Sequence, residues 1–174
     1  MRMCWGLKWS NVALMGLAVL LGITAKAQDP NVAAVKERYA ATLAAMQNMK
    51  TPADLRRMFD ETDAPEWVSI DPNGETMTRD QAMKGVESIL SIPPGSRPIP
   101  IQDFVYMATT GKEVIAVYWV YRRTDSGLVG SMVRDTWAHR DTGWRRTKHE
   151  KFFPDRPLTD HGNPVILPAG SSQK

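Results

Sequence analysis

From residue 101 to 153 the chain runs through four apolar–polar alternations, 101–108, 113–123, 128–140 and 144–153, with short turns closing on Gly111, Gly127 and Gly143. Period-two alternation predicts strands, and turns this short predict an antiparallel meander. Upstream the period lengthens. Val32, Val35, Tyr39, Leu43 and Met46 recur at helical spacing behind Asp29-Pro30, an N-cap followed by proline at the first helical position. Thr51-Pro52 repeats that signal ahead of Leu55, Met58 and Phe59 and predicts a short second helix. Trp67-Val68-Ser69-Ile70 reads as a strand closed by the turn Asp71-Pro72-Asn73-Gly74. Thr78 and Gln81 form a capping-box pattern that opens a third helix through Met83, Val86 and Leu90. Gly85 inside it costs about 1 kcal/mol relative to alanine. The proline-rich stretch 91–100 is a loop. The order predicts an α+β fold with three N-terminal helices covering one face of a mainly antiparallel sheet.

The meander can be put in register from its charges. With Asp141-Thr142-Gly143 as a three-residue loop, Gly143 takes the left-handed bulge position and Arg140 pairs with Trp144. Asp135 then lies opposite His149, and Arg134 opposite Glu150. A two-residue loop would set Asp135 against Glu150 and Arg134 against Lys151, and like charges directly opposite are destabilising. The first register is preferred. Treating the turn after Thr124 the same way pairs Thr124 with Leu128 and Val117 with Asp135. One face then carries Ile115, Val117, Trp119, Tyr121, Val133, Asp135, Trp137, Thr147 and His149, and should meet the helices. The other carries Val114, Ala116, Tyr118, Val120, Arg134, Arg146, Lys148 and Glu150. Strand 113–123 is apolar on both faces, which points to partial cover on the second face by another subunit.

The N-terminus changes the charge picture. Arg2 and Lys8 precede the apolar run Val12–Ile23, and Ala25-Lys26-Ala27 supplies a small-x-small site, the layout of a secretory signal peptide. The run is too short to span a bilayer. Residues 1–27 are expected to be removed after Ala27, placing the protein in the periplasm or outside the cell, with no membrane attachment thereafter. The leader holds Arg2, Lys8 and Lys26 and no acid, so 22 basic against 19 acidic residues becomes 19 against 19. The apparent basicity therefore argues nothing about nucleic acid. The single cysteine, Cys4, leaves with the leader, so no disulfide is available. Residues 28–168 are expected to form one domain, and 169–174 a disordered tail.

Three local patterns carry a family resemblance: Trp67–Gly74, Gly111–Val117, and Asp135-Thr136-Trp137 followed by Gly143-Trp144-Arg145. With the helix–helix–strand–helix–meander order, the chain resembles the nuclear-transport-factor-2-like, or SnoaL-like, superfamily over about residues 30–155. The resemblance implies a cone-shaped, cystatin-like α+β barrel in which a strongly bent sheet wraps around the helices. It also implies a pocket at the open end and frequent homodimers through the sheet. Members include ketosteroid isomerases, scytalone dehydratase, polyketide cyclases and secreted proteins of unassigned activity. No motif in this chain allows their catalytic residues to be carried over by position.

The residues themselves offer one polar constellation. Asp135 beside His149 would fix the imidazole tautomer, and Tyr39 or Tyr121 could donate to a developing oxyanion, so that Asp135, His149 and Tyr39 form a candidate acid–base site. The plainer alternative is that Asp135 and His149 satisfy each other, as structural ion pairs commonly do. Trp67, Val117, Trp119, Tyr121 and Trp137 are candidate pocket residues, although aromatics on a core face are more often core. His139 lies four residues from Asp135 along one strand, roughly 13 Å away, and no spacing resembles a metal site. Arg122-Arg123 and Arg145-Arg146 read as solvated rim charges. No metal and no cofactor is expected. Two functions follow: a domain binding a small apolar ligand or serving in assembly, which the lack of a catalytic signature favours, or a cofactor-independent isomerase, dehydratase or cyclase.

Overall fold

In the computed structural model, residues 29–124, 127–160 and 163–164 are described. The expected leader with Cys4, His161, the apolar Val165-Ile166-Leu167 and the tail from Ala169 lie outside the described residues. Helix α1 spans Pro30–Asn48, with the Asp29 side chain accepting from the Asn31 amide. Helix α2 spans Pro52–Thr62, and a reciprocal Thr51–Asp54 capping box starts it. Helix α3, Arg79–Val86, starts with the expected Thr78–Gln81 box. It stops being an α-helix one residue after Gly85 and continues as a 3₁₀ segment, Glu87–Ser91. Among the described residues no helix is long and apolar enough to cross a membrane.

The strands of the main sheet are β1 (Asp63–Ile70), β2 (Thr76–Thr78), β3 (Ile101–Thr110), β4 (Glu113–Thr124), β5 (Gly127–Arg140), β6 (Gly143–Lys151) and β7 (Arg156–Pro157). They form one mixed sheet in the order β2-β1-β6-β5-β4-β3, and β7 pairs with β5. The β1–β6 pair is parallel, because the chain crosses over through α3 and the meander before returning beside its first strand. The helices cover the concave face. Val32, Val35 and Tyr39 of α1 pack on Val114, Ala116, Tyr118, Val133, Trp137 and Trp144. A second cluster, Met49, Leu55, Met58 and Phe59, seals α2 to the end of α1.

Two registers differ from expectation. Thr124 pairs with Gly127, so two residues rather than three separate β4 from β5. Every side chain of β4 is thereby moved to the opposite face, since a one-residue slip inverts a strand of period two. Val114, Ala116, Tyr118 and Val120 face the helices, while Val117, Trp119 and Tyr121 face outward. The β5–β6 turn is also shorter than expected: Arg140 pairs with Gly143, whose φ is 98°. The ladder then shifts by one between Thr136 and Trp137, leaving Thr147 as an extra residue, a β-bulge. Beyond the bulge, Asp135 pairs with His149 and Arg134 with Glu150, as the charge rule requires.

Candidate functional site

Asp135 sits in the middle of β5 and is fully buried. Ala116, directly across on β4, presents only a methyl group there, which leaves room for two ring hydroxyls. The hydroxyl of Tyr39 donates to Asp135 Oδ2 at 2.6 Å and that of Tyr118 donates to the same oxygen at 2.8 Å. Arg146 Nη1 approaches Oδ2 at 3.4 Å, and His149 Nδ1 meets Oδ1 at 2.7 Å. Trp137 Nε1 in turn donates to the Tyr39 hydroxyl at 2.9 Å. The rings are locked edge-on: Tyr39 lies 4.9 Å from Trp137, 5.4 Å from Tyr118 and 5.0 Å from Phe104, centroid to centroid.

Burial alone would raise the pKa of Asp135, but the charges of Arg146 and His149 and the hydrogen bonds more than offset it, and the carboxyl is held well below its ordinary range. Burial, then the Asp135 charge, push both Tyr39 and Tyr118 well above the usual phenol range. Burial opposes the charge on Arg146, yet Asp63 and then Asp135 hold it more firmly protonated than an ordinary guanidinium. Asp135 is thus a fixed anion with both oxygens occupied, not a group that trades protons near neutrality.

Arg146 links two elements. Its Nε donates to Asp63 Oδ1 at 2.8 Å, and Asp63 is itself buried at the start of β1. Its guanidinium carbon lies 5.5 Å from the centroid of the Trp67 ring, a cation–π contact. Arg146 and His149 both reach inward from β6 although only two residues, Thr147 and Lys148, lie between them. In an unbroken strand one of the two would face out. The Thr147 bulge is what admits both.

Between α1, α2, the 3₁₀ segment and the sheet lies a cavity of about 240 Å³. Leu43, Met46, Met58, Phe59 and Val120 belong to its apolar wall, and His149, Tyr118 and Arg146 line it at the polar network. A shallower groove between α1 and residues 99–104 shares Tyr39, Leu43, Pro100 and Gln102 with it, so Gln102 stands where groove and cavity meet. The His149 side chain is 24% exposed, whereas Asp135 is sealed beneath it. With Nδ1–H given to Asp135, the imidazole keeps Nε2 as its free nitrogen; no hydrogen bond to Nε2 is made among the described residues.

No family model and no curated protein matches the chain. Solved structures do. An NTF2-like protein of unknown function from Pseudomonas aeruginosa superposes with a TM-score of 0.52 at 12% identity, covering 70% of this chain and 98% of that one. A candidate dehydratase of the NTF2-like family from Streptomyces avermitilis gives 0.51 at 14% identity, over 71% and 95% of the two chains. A Nostoc punctiforme protein of unknown function with a cystatin-like fold gives 0.50 at 11%, over 68% and 87%. This chain has an NTF2-like fold.

Within the NTF2-like fold, Asp135, His149 and Tyr39 do meet, but the Tyr39 hydroxyl is given to the carboxylate. Of the five aromatic and apolar residues expected around a pocket, Trp137 lines the cavity. Trp67 is buried beside Arg146 and stays out of that lining. Val117, Trp119 and Tyr121 are corrected to the outer face, where Trp119 stacks near Tyr121 at 6.1 Å. Asp103, whose facing the sequence leaves open, pairs with Trp119 on that outer face. Its charge, after burial, raises the Tyr121 phenol. Arg146 is corrected from a rim charge to the central cation; Arg122, by contrast, is exposed and pairs with Asp155 at 3.1 Å. Sequence reasoning missed Arg146 and Tyr118. The signal for Arg146 was Trp144: an aromatic at an even position of β6 conflicts with an inward His149 unless the strand carries one extra residue. Among the described residues no group of acids and histidines could hold a metal ion.

Proposed function

We propose that the protein binds a small, largely apolar molecule in the cavity between α1 and the sheet, with His149 as its polar anchor. The observation that carries this is an apolar hollow into which one imidazole, oriented by Asp135, opens beside Arg146. At about 240 Å³ the hollow lies just below the 300–1,000 Å³ usual for ligand sites, so the ligand is of one-ring size. Denaturing mass spectrometry of the purified protein is expected to release such a molecule, and Leu43→Trp, which fills the hollow, is expected to remove it. Release of the same molecule from the filled variant would sink the proposal.

The second reading is acid–base catalysis, and the Asp135–His149 contact favours it, because a carboxylate on Nδ1 holds the imidazole in place and orients Nε2. The dehydratase named among the similar folds is consistent with it but lends only analogy. If His149 is a general base, wild type exchanges the α-proton of a small enolisable ketone in D2O, and His149→Ala loses about 10²–10⁴-fold of that rate. An absence of exchange by wild type removes this reading and leaves binding intact.

We also propose a homodimer through the outer sheet face. Val105, Tyr106 and Phe152 are exposed there, beside Trp119, Tyr121 and Phe153. Exposed aromatic rings clustered on one sheet face, here edged by Arg134 and Arg156, are uncommon on a monomer. Light scattering at micromolar concentration is expected to give twice the chain mass, falling to one chain in Trp119→Glu; a wild-type monomer refutes the dimer.

A further inference from the structure

Arg97 is a buried cation that the polar network does not use. It is 4% exposed, and among the described residues no carboxylate pairs with it. Three backbone carbonyls hold it instead. Nη1 donates to Met46 at 2.8 Å, and Nε is shared between Ile92 at 3.1 Å and Ile89 at 3.2 Å. Met46 lies in the last turn of α1, where carbonyls lack a helical partner and carry the negative end of the helix dipole. Ile89 belongs to the 3₁₀ segment, and Ile92 follows it. One guanidinium therefore ties the proline-rich loop and the 3₁₀ segment to the end of α1. The tied stretch is also cavity wall: Val86 and Ile89 line the hollow from its first part, Pro100 and Gln102 from its last. Little else holds it down. Neither α3 nor the 3₁₀ segment has a buried residue, whereas α1 and α2 have three and four. Ile89 and Leu90 pack only partly buried against the Met49–Phe59 cluster.

We infer that residues 86–102 form a flap over the cavity, that Arg97 latches it shut, and that a ligand enters and leaves when the latch opens. A cation held by carbonyls alone gives up bonds that water replaces on opening, and its burial without a counter-ion costs free energy in the closed form. Such a tie closes the wall without sealing it. Pro100 and Gln102 stand where the groove meets the cavity, so opening widens the existing mouth. The inference deepens the binding proposal and rests on it. Arg97 is given no contact with the ligand: it sets how fast the cavity exchanges its contents, not how tightly it holds them. When passage needs the open form, weakening the latch multiplies the entry and exit rates by one factor and leaves their ratio unchanged.

The test follows toluene, a one-ring probe, into and out of the protein by NMR exchange, in wild type and in Arg97→Met, which keeps the stem and removes the donors. Both rate constants are expected to rise about tenfold, the effect of one charge-assisted hydrogen bond, while the dissociation constant changes less than about threefold. Weaker binding at an unchanged entry rate overturns the inference, because Arg97 then only supports the wall. Rates equal to those of wild type overturn it as well. A second measurement needs no variant. Relaxation dispersion on wild type without toluene is expected to show microsecond-to-millisecond exchange at amides of 86–102 and none in β4, β5 and β6. Flat profiles across 86–102 overturn the flap. In each of these failures toluene still binds and the cavity proposal stands. If wild type does not bind toluene, the cavity proposal fails and this inference fails with it.

Discussion

Asp135→Ala is expected to destabilise the protein by about 3–5 kcal/mol, the range found when one partner of a buried ion pair is removed. Four side chains converge on this one carboxylate, which is 0% exposed. Truncation leaves the Arg146 guanidinium with Asp63 alone, strands two buried phenols and opens a hole between them. Because domains of this size are stable by about 5–15 kcal/mol, the loss is a large fraction of the total. Asp135→Asn keeps the shape and a polar acceptor and should lose less. Urea unfolding, compared at the transition midpoint with an unchanged slope, measures both. A midpoint shift worth less than about 1 kcal/mol for the alanine variant would contradict the central role of this carboxylate.

Arg146→Leu is expected to be comparably destabilised at neutral pH and to reverse the pH dependence of the site. In wild type, burial works against the charged form of Asp135, but Arg146 is the foremost of the groups that overcome it. The folded pKa lies below the unfolded value of about 3.9. Its contribution is therefore fully present above that value and is lost as pH falls through the range beneath it. Without Arg146 the burial effect prevails, and the buried carboxyl titrates above the unfolded value. The variant then binds a proton on folding, so it is stabilised by acidification from pH 7 toward pH 5, where wild type is unaffected by this group. The free-energy gap between the two proteins should be largest at neutral pH and narrow by about 1.4 kcal/mol for each unit by which the variant's carboxyl is raised. A gap independent of pH would mean that solvent reaches the carboxylate as soon as the arginine is gone.

The behaviour of both variants depends on features that the sequence shows unequally. Helix starts were legible because Asp29, Thr51 and Thr78 cap by local rules that packing does not overturn. The Asp135–His149 pairing was legible because the charges of Arg134, Glu150 and Lys151 permit one register and penalise its neighbour. Strand β4 was not. Val114, Ala116, Tyr118 and Val120 are as apolar as Ile115, Val117, Trp119 and Tyr121, so alternation cannot choose a face, and one residue in the turn after Thr124 decides it. That ambiguity exchanged Tyr121 for Tyr118 as the phenol beside the site. Arg146 was hidden for a different reason: two short errors, in the loop before β6 and in the bulge within it, cancel at His149 and do not cancel at Arg146.

The bulge at Thr147 bears on how this site could be recognised elsewhere. Thr136 faces both Thr147 and Lys148, so a chain lacking Thr147 would run on as a regular ladder with Arg146 and His149 still side by side against the carboxylate. The same three-dimensional arrangement is thus written as Arg-x-x-His in this chain and as Arg-x-His in a plain strand. Two such sites differ by a single insertion, and a motif of fixed spacing drawn from either form would pass over the other.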